Sequence, residues 1–254
     1  MQRTLQMLAL ASTILMFVAS NLMIAFFGFN VTSELDEPIT FYIVPAGYAF
    51  AIWFFIYIGF IALGAYQLNK SRLNDTQWQK ARIYIIINGI ANTLWFSGVL
   101  INKVWLTMIF MAILLYTLIQ LSIILGLGEF PRDQSEKWQV KVPLALYFGW
   151  ITIATPINFT SFLMVDLGFR GTGFLSPEIW SILILAVATA IVAWMYINRK
   201  ANATYLLVGV WGLTAIFVSN LNMSMEVGIA ALLLAGILIL VLILYRVKNG
   251  ALAI

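Results

Sequence analysis

A chain of 254 residues that is 63% hydrophobic and 9% charged, with a mean hydropathy of +0.97, cannot present a normal solvated surface, so its solvent is lipid. It has no Cys and no His, which excludes disulfides, thiol nucleophiles, His/Cys zinc sites, His-ligated haem and imidazole general bases. The net charge of +4 falls in short loops without interleaved aromatics; it reads as membrane orientation, and no nucleic-acid partner is expected.

Apolar runs of about 20 residues predict an all-α, polytopic transmembrane bundle of about eight helices, since membrane β-barrels show short alternating segments instead. The first run, about Leu5 to Phe27, is too long for a signal-peptide core and is taken as a helix. An acidic segment with Glu34, Asp36 and Glu37 leads through Pro45 and Gly47 to a second span, about Tyr48 to Tyr66. After the polar stretch Lys70 to Lys80, a third span runs from about Ile83 to Leu100. The turn Ile101-Asn102-Lys103 is so tight that the fourth span, about Val104 to Leu127, must be its antiparallel neighbour.

Glu129 to Gln139 is the longest charged loop, and Val142 to Thr160 the fifth span. Ser176 as N-cap and Pro177 at the first helical position open a sixth helix ending near Ile197. The seventh and eighth run from about Tyr205 to Leu221 and Val227 to Leu244. Asn220 and Asn222 leave open whether a turn or one long re-entrant element joins these two.

Charge tests this count. With eight spans, Arg3, Lys70, Arg72, Lys80, Arg82, Arg132, Lys137, Lys141, Arg199, Lys200, Arg246 and Lys248 share one side, twelve of the fourteen basic residues, and only Lys103 and Arg170 face the other. By the positive-inside rule both termini are expected in the cytoplasm. No charged residue is placed deep inside a span, which argues against proton relays, ion-coupled transport and voltage sensing.

The spans hold aromatic rings and amides instead. Trp53 and Tyr57 share a face of the second helix, Asn88, Asn92 and Trp95 a face of the third, and Tyr147, Trp150 and Asn158 a stripe of the fifth. At 1.5 Å per residue, Trp53 and Trp95 lie about 8 Å, and Asn158 about 12 Å, below the outer face, in one layer with Trp150 deeper as a floor. Buried amides and Tyr or Trp handles need partners that hydrocarbon cannot give. Bonding between helices is the ordinary use of such groups; a flat amphipathic ligand is the alternative. Trp105, Trp138, Trp180 and Trp194, near span ends, are assigned to interfacial belts.

Three patterns in register, P-x7-W-x3-Y (Pro45, Trp53, Tyr57), N-T-L-W (Asn92 to Trp95) and Y-x2-W-x-T-x2-T-x2-N (Tyr147, Trp150, Thr152, Thr155, Asn158), resemble the tryptophan-rich sensory protein family, also called TspO or translocator protein and formerly the peripheral benzodiazepine receptors. The resemblance covers roughly Leu5 to Leu167. It implies a five-helix bundle over residues 1–167 that binds porphyrins, sterols or synthetic isoquinolines, with Trp53, Tyr57, Asn92, Trp95, Tyr147, Trp150 and Asn158 lining the cavity and Thr32 to Val44 covering it; Asn88, on the same face of the third helix, joins the ligand-binding candidates by its spacing alone. Phe50 stands where the family has Pro, and Gly47-Tyr48 where it has Gly-Trp. Residues 168–254 are expected to add three helices, integrated with the bundle, that cover its outer face or host a homodimer contact.

The expected function is a binding or sensory protein of a bacterial plasma membrane, with membrane lipid and a flat hydrophobic molecule, a porphyrin (tetrapyrrole) or sterol, as partners; a bound porphyrin or lipid is the only cofactor-like occupant expected, and no metal site or catalytic residue. A secondary transporter of an uncharged solute and a light-dependent porphyrin-modifying enzyme are the rival readings.

Overall fold

The computed structural model describes residues 2–27, 42–101, 103–168, 175–198 and 202–249. The acidic residues Glu34, Asp36 and Glu37, most of the expected cover, and Arg170, Arg199 and Lys200 lie outside the described residues.

Eight long helices and no strand are found among the described residues: α1 Gln2–Phe27, α2 Ile52–Tyr66 behind a 3₁₀ turn Gly47–Ala51, α3 Thr76–Leu100, α4 Val104–Ile124, α5 Val142–Val165, α6 Pro177–Asn198, α7 Ala203–Ser219 and α8 Met225–Asn249. Seven are long and apolar enough to cross a membrane, and α7, at 17 residues, is shorter. Asn220 settles the question left between the last two helices. Its Nδ2 donates to the carbonyls of Ile216 and Tyr42, and Met223 and Ser224 N–H groups return to its own carbonyl, so a closed turn separates α7 from α8.

The helix starts also differ from the hydropathy pattern. Asp75 caps α3 by accepting from the N–H groups of Gln77 and Trp78, so α3 begins seven residues before Ile83. The loop expected to last until Gln139 winds from Gln134 into a helical turn and a π-helical segment, Lys137–Lys141, that feeds α5. Asp133 Oδ1 accepts from Glu136 N at 2.7 Å while Glu136 Oε2 accepts from Arg132 N at 2.7 Å, close to a capping box. Pro143 cannot donate to the carbonyl of Gln139, which fits the widened turn before it. Ser176 caps α6 as expected, accepting from Ile179 N.

α5 is the central helix. The share of its span buried is 67%, against 28 to 50% for the six other helices long enough to cross a membrane. It packs on α2 and α4 on one side and on α6 and α7 on the other, while α3 joins α1 to α4 and α8 joins α6 to α7. Two glycines set the close approaches: a Cβ at Gly89 would stand 2.7 Å from the Ser12 carbonyl oxygen of α1, and one at Gly149 2.7 Å from the Tyr205 carbonyl oxygen of α7. Tyr205 Oη then donates to Thr152 Oγ1 at 3.0 Å.

Arg82, placed by sequence among the loop cations, is fully buried. Its guanidinium donates to Gln67 Oε1 at 2.8 Å and to the carbonyls of Leu73 and Arg72 at 3.1 and 2.5 Å, closing the α2–α3 turn. Gln67 and Gln6 exchange Nε2–H to carbonyl bonds of 2.8 Å, which ties α1 to this turn. Lys141 is likewise buried; its ammonium satisfies the carbonyls of Leu125 and Gly126 beyond α4. Both cations sit near helix ends, so among the described residues no charge stands at mid-span.

Candidate functional site

The stripes on α2, α3 and α5 meet. Trp53 is the hub: it stacks on Trp95 with centroids 5.7 Å apart and planes at 28°, stacks on Tyr57 at 5.4 Å, and meets Tyr147 and Trp150 edge-on at 5.9 and 6.5 Å. Such geometries are the favoured ones for ring pairs, each worth about 0.5–1.5 kcal/mol beyond area burial. Trp95 Nε1 donates to Asn158 Oδ1 at 3.4 Å, so Trp53, Trp95 and Asn158 do occupy one layer.

Trp150 differs from its expected place. It meets Phe50, in the 3₁₀ turn that opens α2, at 5.9 Å, and therefore flanks the layer. The floor is made by Tyr57 and Tyr147, with Phe60 edge-on beneath Tyr147 at 5.0 Å and Phe17 of α1 against Tyr57 at 6.0 Å. Phe60 and Phe17 are not marked by the sequence pattern, because a Phe in a membrane helix carries no polar signal; Phe50 is marked there only as the residue standing in place of the family Pro.

The amides divide. Asn92 faces the layer, its Nδ2 donating to Tyr147 Oη at 2.8 Å. Asn88, one turn away, points to α4 and donates to Thr117 Oγ1 at 2.8 Å, a helix-to-helix tie. Both are fully buried, and in both the carbonyl oxygen Oδ1 has no donor among the described residues. Unpaired buried acceptors cost about 1–3 kcal/mol each, so their presence near an aromatic layer asks for a donor from elsewhere. Thr152, part of the fifth-helix pattern, turns away to receive Tyr205.

Burial grades across the layer. Trp53, Tyr57, Tyr147 and Trp150 are closed in, whereas Trp95 and Asn158 are half-buried. Their 3.4 Å contact is longer than the usual N–H···O range, so the pair that closes the layer is also its weakest polar link. Among the described residues no cluster of His, Cys, Asp or Glu that could hold a metal exists.

The last three helices contribute to the entry of α2. Ala46 N donates to the Ala215 carbonyl at 3.0 Å, Ser219 Oγ to Val44 O at 2.7 Å, Asn220 Nδ2 to Tyr42 O at 2.7 Å and Trp211 Nε1 to Ala49 O at 3.3 Å, and Tyr48 meets Trp211 edge-on at 5.2 Å. α7 thus holds the strand of chain, 42–49, that leads to Phe50 and Trp53. Trp105, Trp138 and Trp194 are 47, 59 and 50% exposed, as belt positions should be.

No curated protein and no solved structure matches the chain. A family model described as TSPO-like protein does match it, over residues 3–244, beyond the five helices that carry the three patterns and into α8. The chain belongs to the TSPO-like protein family.

Proposed function

We propose that this TSPO-like membrane protein binds a flat hydrophobic ligand, a porphyrin-type tetrapyrrole or a sterol, against the Trp53–Trp95–Trp150 layer, and serves as a sensor or regulator in a bacterial plasma membrane. The observation that carries this reading is the conjunction of stacked rings with buried Asn92 Oδ1, an acceptor without a donor. A ring system that enters between Trp53 and Trp95 exchanges their mutual stacking for its own contacts with both rings, and an N–H or O–H on its edge supplies the missing donor. Entry parts the Trp95–Asn158 contact, the weakest polar link of the layer. Asn88 belongs to the candidate set through its own donorless Oδ1.

Titration of protoporphyrin and of a neutral sterol into the purified protein, read by quenching of tryptophan emission, tests the reading against Trp150→Phe and the belt control Trp194→Phe. Weaker binding at Trp150 alone is expected; equal affinities in all three proteins would mean that the rings are only packing. The orientation is tested separately. Both termini and the Lys70 to Lys80 loop are proposed to be cytoplasmic, from the twelve-to-two split of basic residues. Because the chain has no Cys, an impermeant thiol reagent on intact cells should label single cysteines placed at Glu37 or Arg170 and spare those at Arg72 or Lys248.

A further inference from the structure

At the opposite end of α2 from the aromatic layer, where the apolar span gives way to the basic loops, a cavity of about 560 Å³ lies between the α2–α3 turn and the turn before α5. It is a shallow depression, largely open to its surroundings, with Tyr66, Arg72, Asp133, Ser135 and Gln139 on its polar side and Ala65 and Leu68 on its apolar side. Its chemistry is sorted by charge. Arg72 brings a guanidinium fixed by two contacts: Nη1 donates to the Tyr66 carbonyl at 2.9 Å, and the group lies over the Tyr66 ring at 3.5 Å from its centroid. Asp133 brings a carboxylate held by its capping role, Oδ1 accepting from Glu136 N, with no donor from the described residues on Oδ2. The two charges line one cavity without bonding each other, and hydroxyl and amide groups from Ser135 and Gln139 stand beside them.

We infer that this cavity takes a zwitterionic headgroup made of a phosphodiester and a primary ammonium, the phosphate on Arg72 and the ammonium on Asp133. A guanidinium presents several N–H donors to phosphate oxygens, and a primary ammonium offers three donors for a carboxylate and neighbouring oxygens. A purely anionic headgroup meets Asp133 as a like charge. A quaternary ammonium has no N–H to donate and is best held on open aromatic faces, but the Tyr66 face is taken by Arg72. Location agrees: Trp138, 59% exposed with the Lys137 ammonium 5.2 Å from its ring, lies on the turn that forms one wall, as an interfacial anchor does. The Ala65 and Leu68 side of the cavity belongs to the last turn of α2 and the residues just after it, the depth at which acyl chains meet headgroups.

The test is native mass spectrometry of the full chain released from bilayers of equal parts phosphatidylethanolamine, phosphatidylcholine and phosphatidylglycerol, with binding also measured on delipidated protein. The intact protein should retain the ethanolamine lipid in preference to the other two. Asp133→Asn keeps the cap, since Asn is an equally good N-cap, and should lower retention of the ethanolamine lipid by about two- to fivefold, the range open to a solvent-accessible ion pair, while sparing the choline lipid. Arg72→Gln should lower all three. Equal retention of the three lipids by the intact protein, or an unchanged preference in Asp133→Asn, would overturn the site. Soluble glycerophosphoethanolamine separates the sources: competition with the lipid at equal concentration marks the headgroup alone as the ligand, and its failure to compete marks a bilayer lipid.

Discussion

The two ends of α2 carry polar groups of very different completeness. At the basic-loop end, Gln6, Gln67, Arg82 and Lys141 bring strong donors inside, and each is matched to a carbonyl or side-chain oxygen. At the aromatic end, Asn92 and Tyr147 form one bond and leave Asn92 Oδ1 empty-handed, although it is just as deeply buried. Burial of polar groups in a membrane bundle therefore serves two ends. A saturated network fastens helices; at the aromatic end an unsaturated acceptor lies beneath stacked rings, which on the function proposed above is the group a ligand would meet.

If that contrast holds, stability and binding respond to different residues. Arg82→Ala should have the largest effect, because it strips donors from Gln67 Oε1 and two carbonyls at once; a loss of about 3 kcal/mol or more is expected, read as a lower midpoint of thermal unfolding in detergent, and an unchanged midpoint would break the comparison at its saturated end. Trp95→Phe comes next. It should weaken porphyrin binding up to about tenfold, from about 0.5–1.5 kcal/mol of ring stacking, with the unfolding midpoint nearly unmoved. Asn92→Leu sharpens the contrast further. One hydrogen bond of about 1 kcal/mol is lost but an unpaired acceptor goes with it, so stability should change by less than about 1 kcal/mol while ligand affinity falls; a collapse of stability instead would class Asn92 with Arg82. Ser219→Ala, which removes the hydroxyl that donates to Val44 O at 2.7 Å but leaves Asn220 bonded to Tyr42 and Ile216, should leave binding unchanged and lower stability by only about 0.5 kcal/mol in the same unfolding assay.

Much of this was legible in the chain. Apolar runs gave the helices, and the spacing of Trp53 with Tyr57, Asn92 with Trp95, and Tyr147 with Trp150 and Asn158 gave the layer, because helical periodicity fixes which residues share a face. Spacing cannot say which neighbour that face meets. Asn88 and Asn92 look equivalent on α3, yet one serves α4 and the other α5. Hydropathy misplaced the start of α3 and missed the helical lead-in to α5 because Asp75, Asp133, Arg82 and Lys141 are charges spent on helix ends, which a sliding window reads as solvent. The grip of α7 on residues 42–49 was invisible for a different reason: most of its bonds run to backbone, which no side-chain pattern records.

That grip bears on how the protein can be taken apart. A shortened version stopping after α5 would free the Ala46 N–H and bare the carbonyls of Tyr42 and Val44, along with the seam of α5 that Gly149 opens to Tyr205. Lipid offers such groups nothing in exchange. Anyone seeking a minimal bundle for crystallography or for grafting into another scaffold should therefore expect the first five helices to misassemble alone, and should recover them by supplying α6 to α8 as a separate polypeptide.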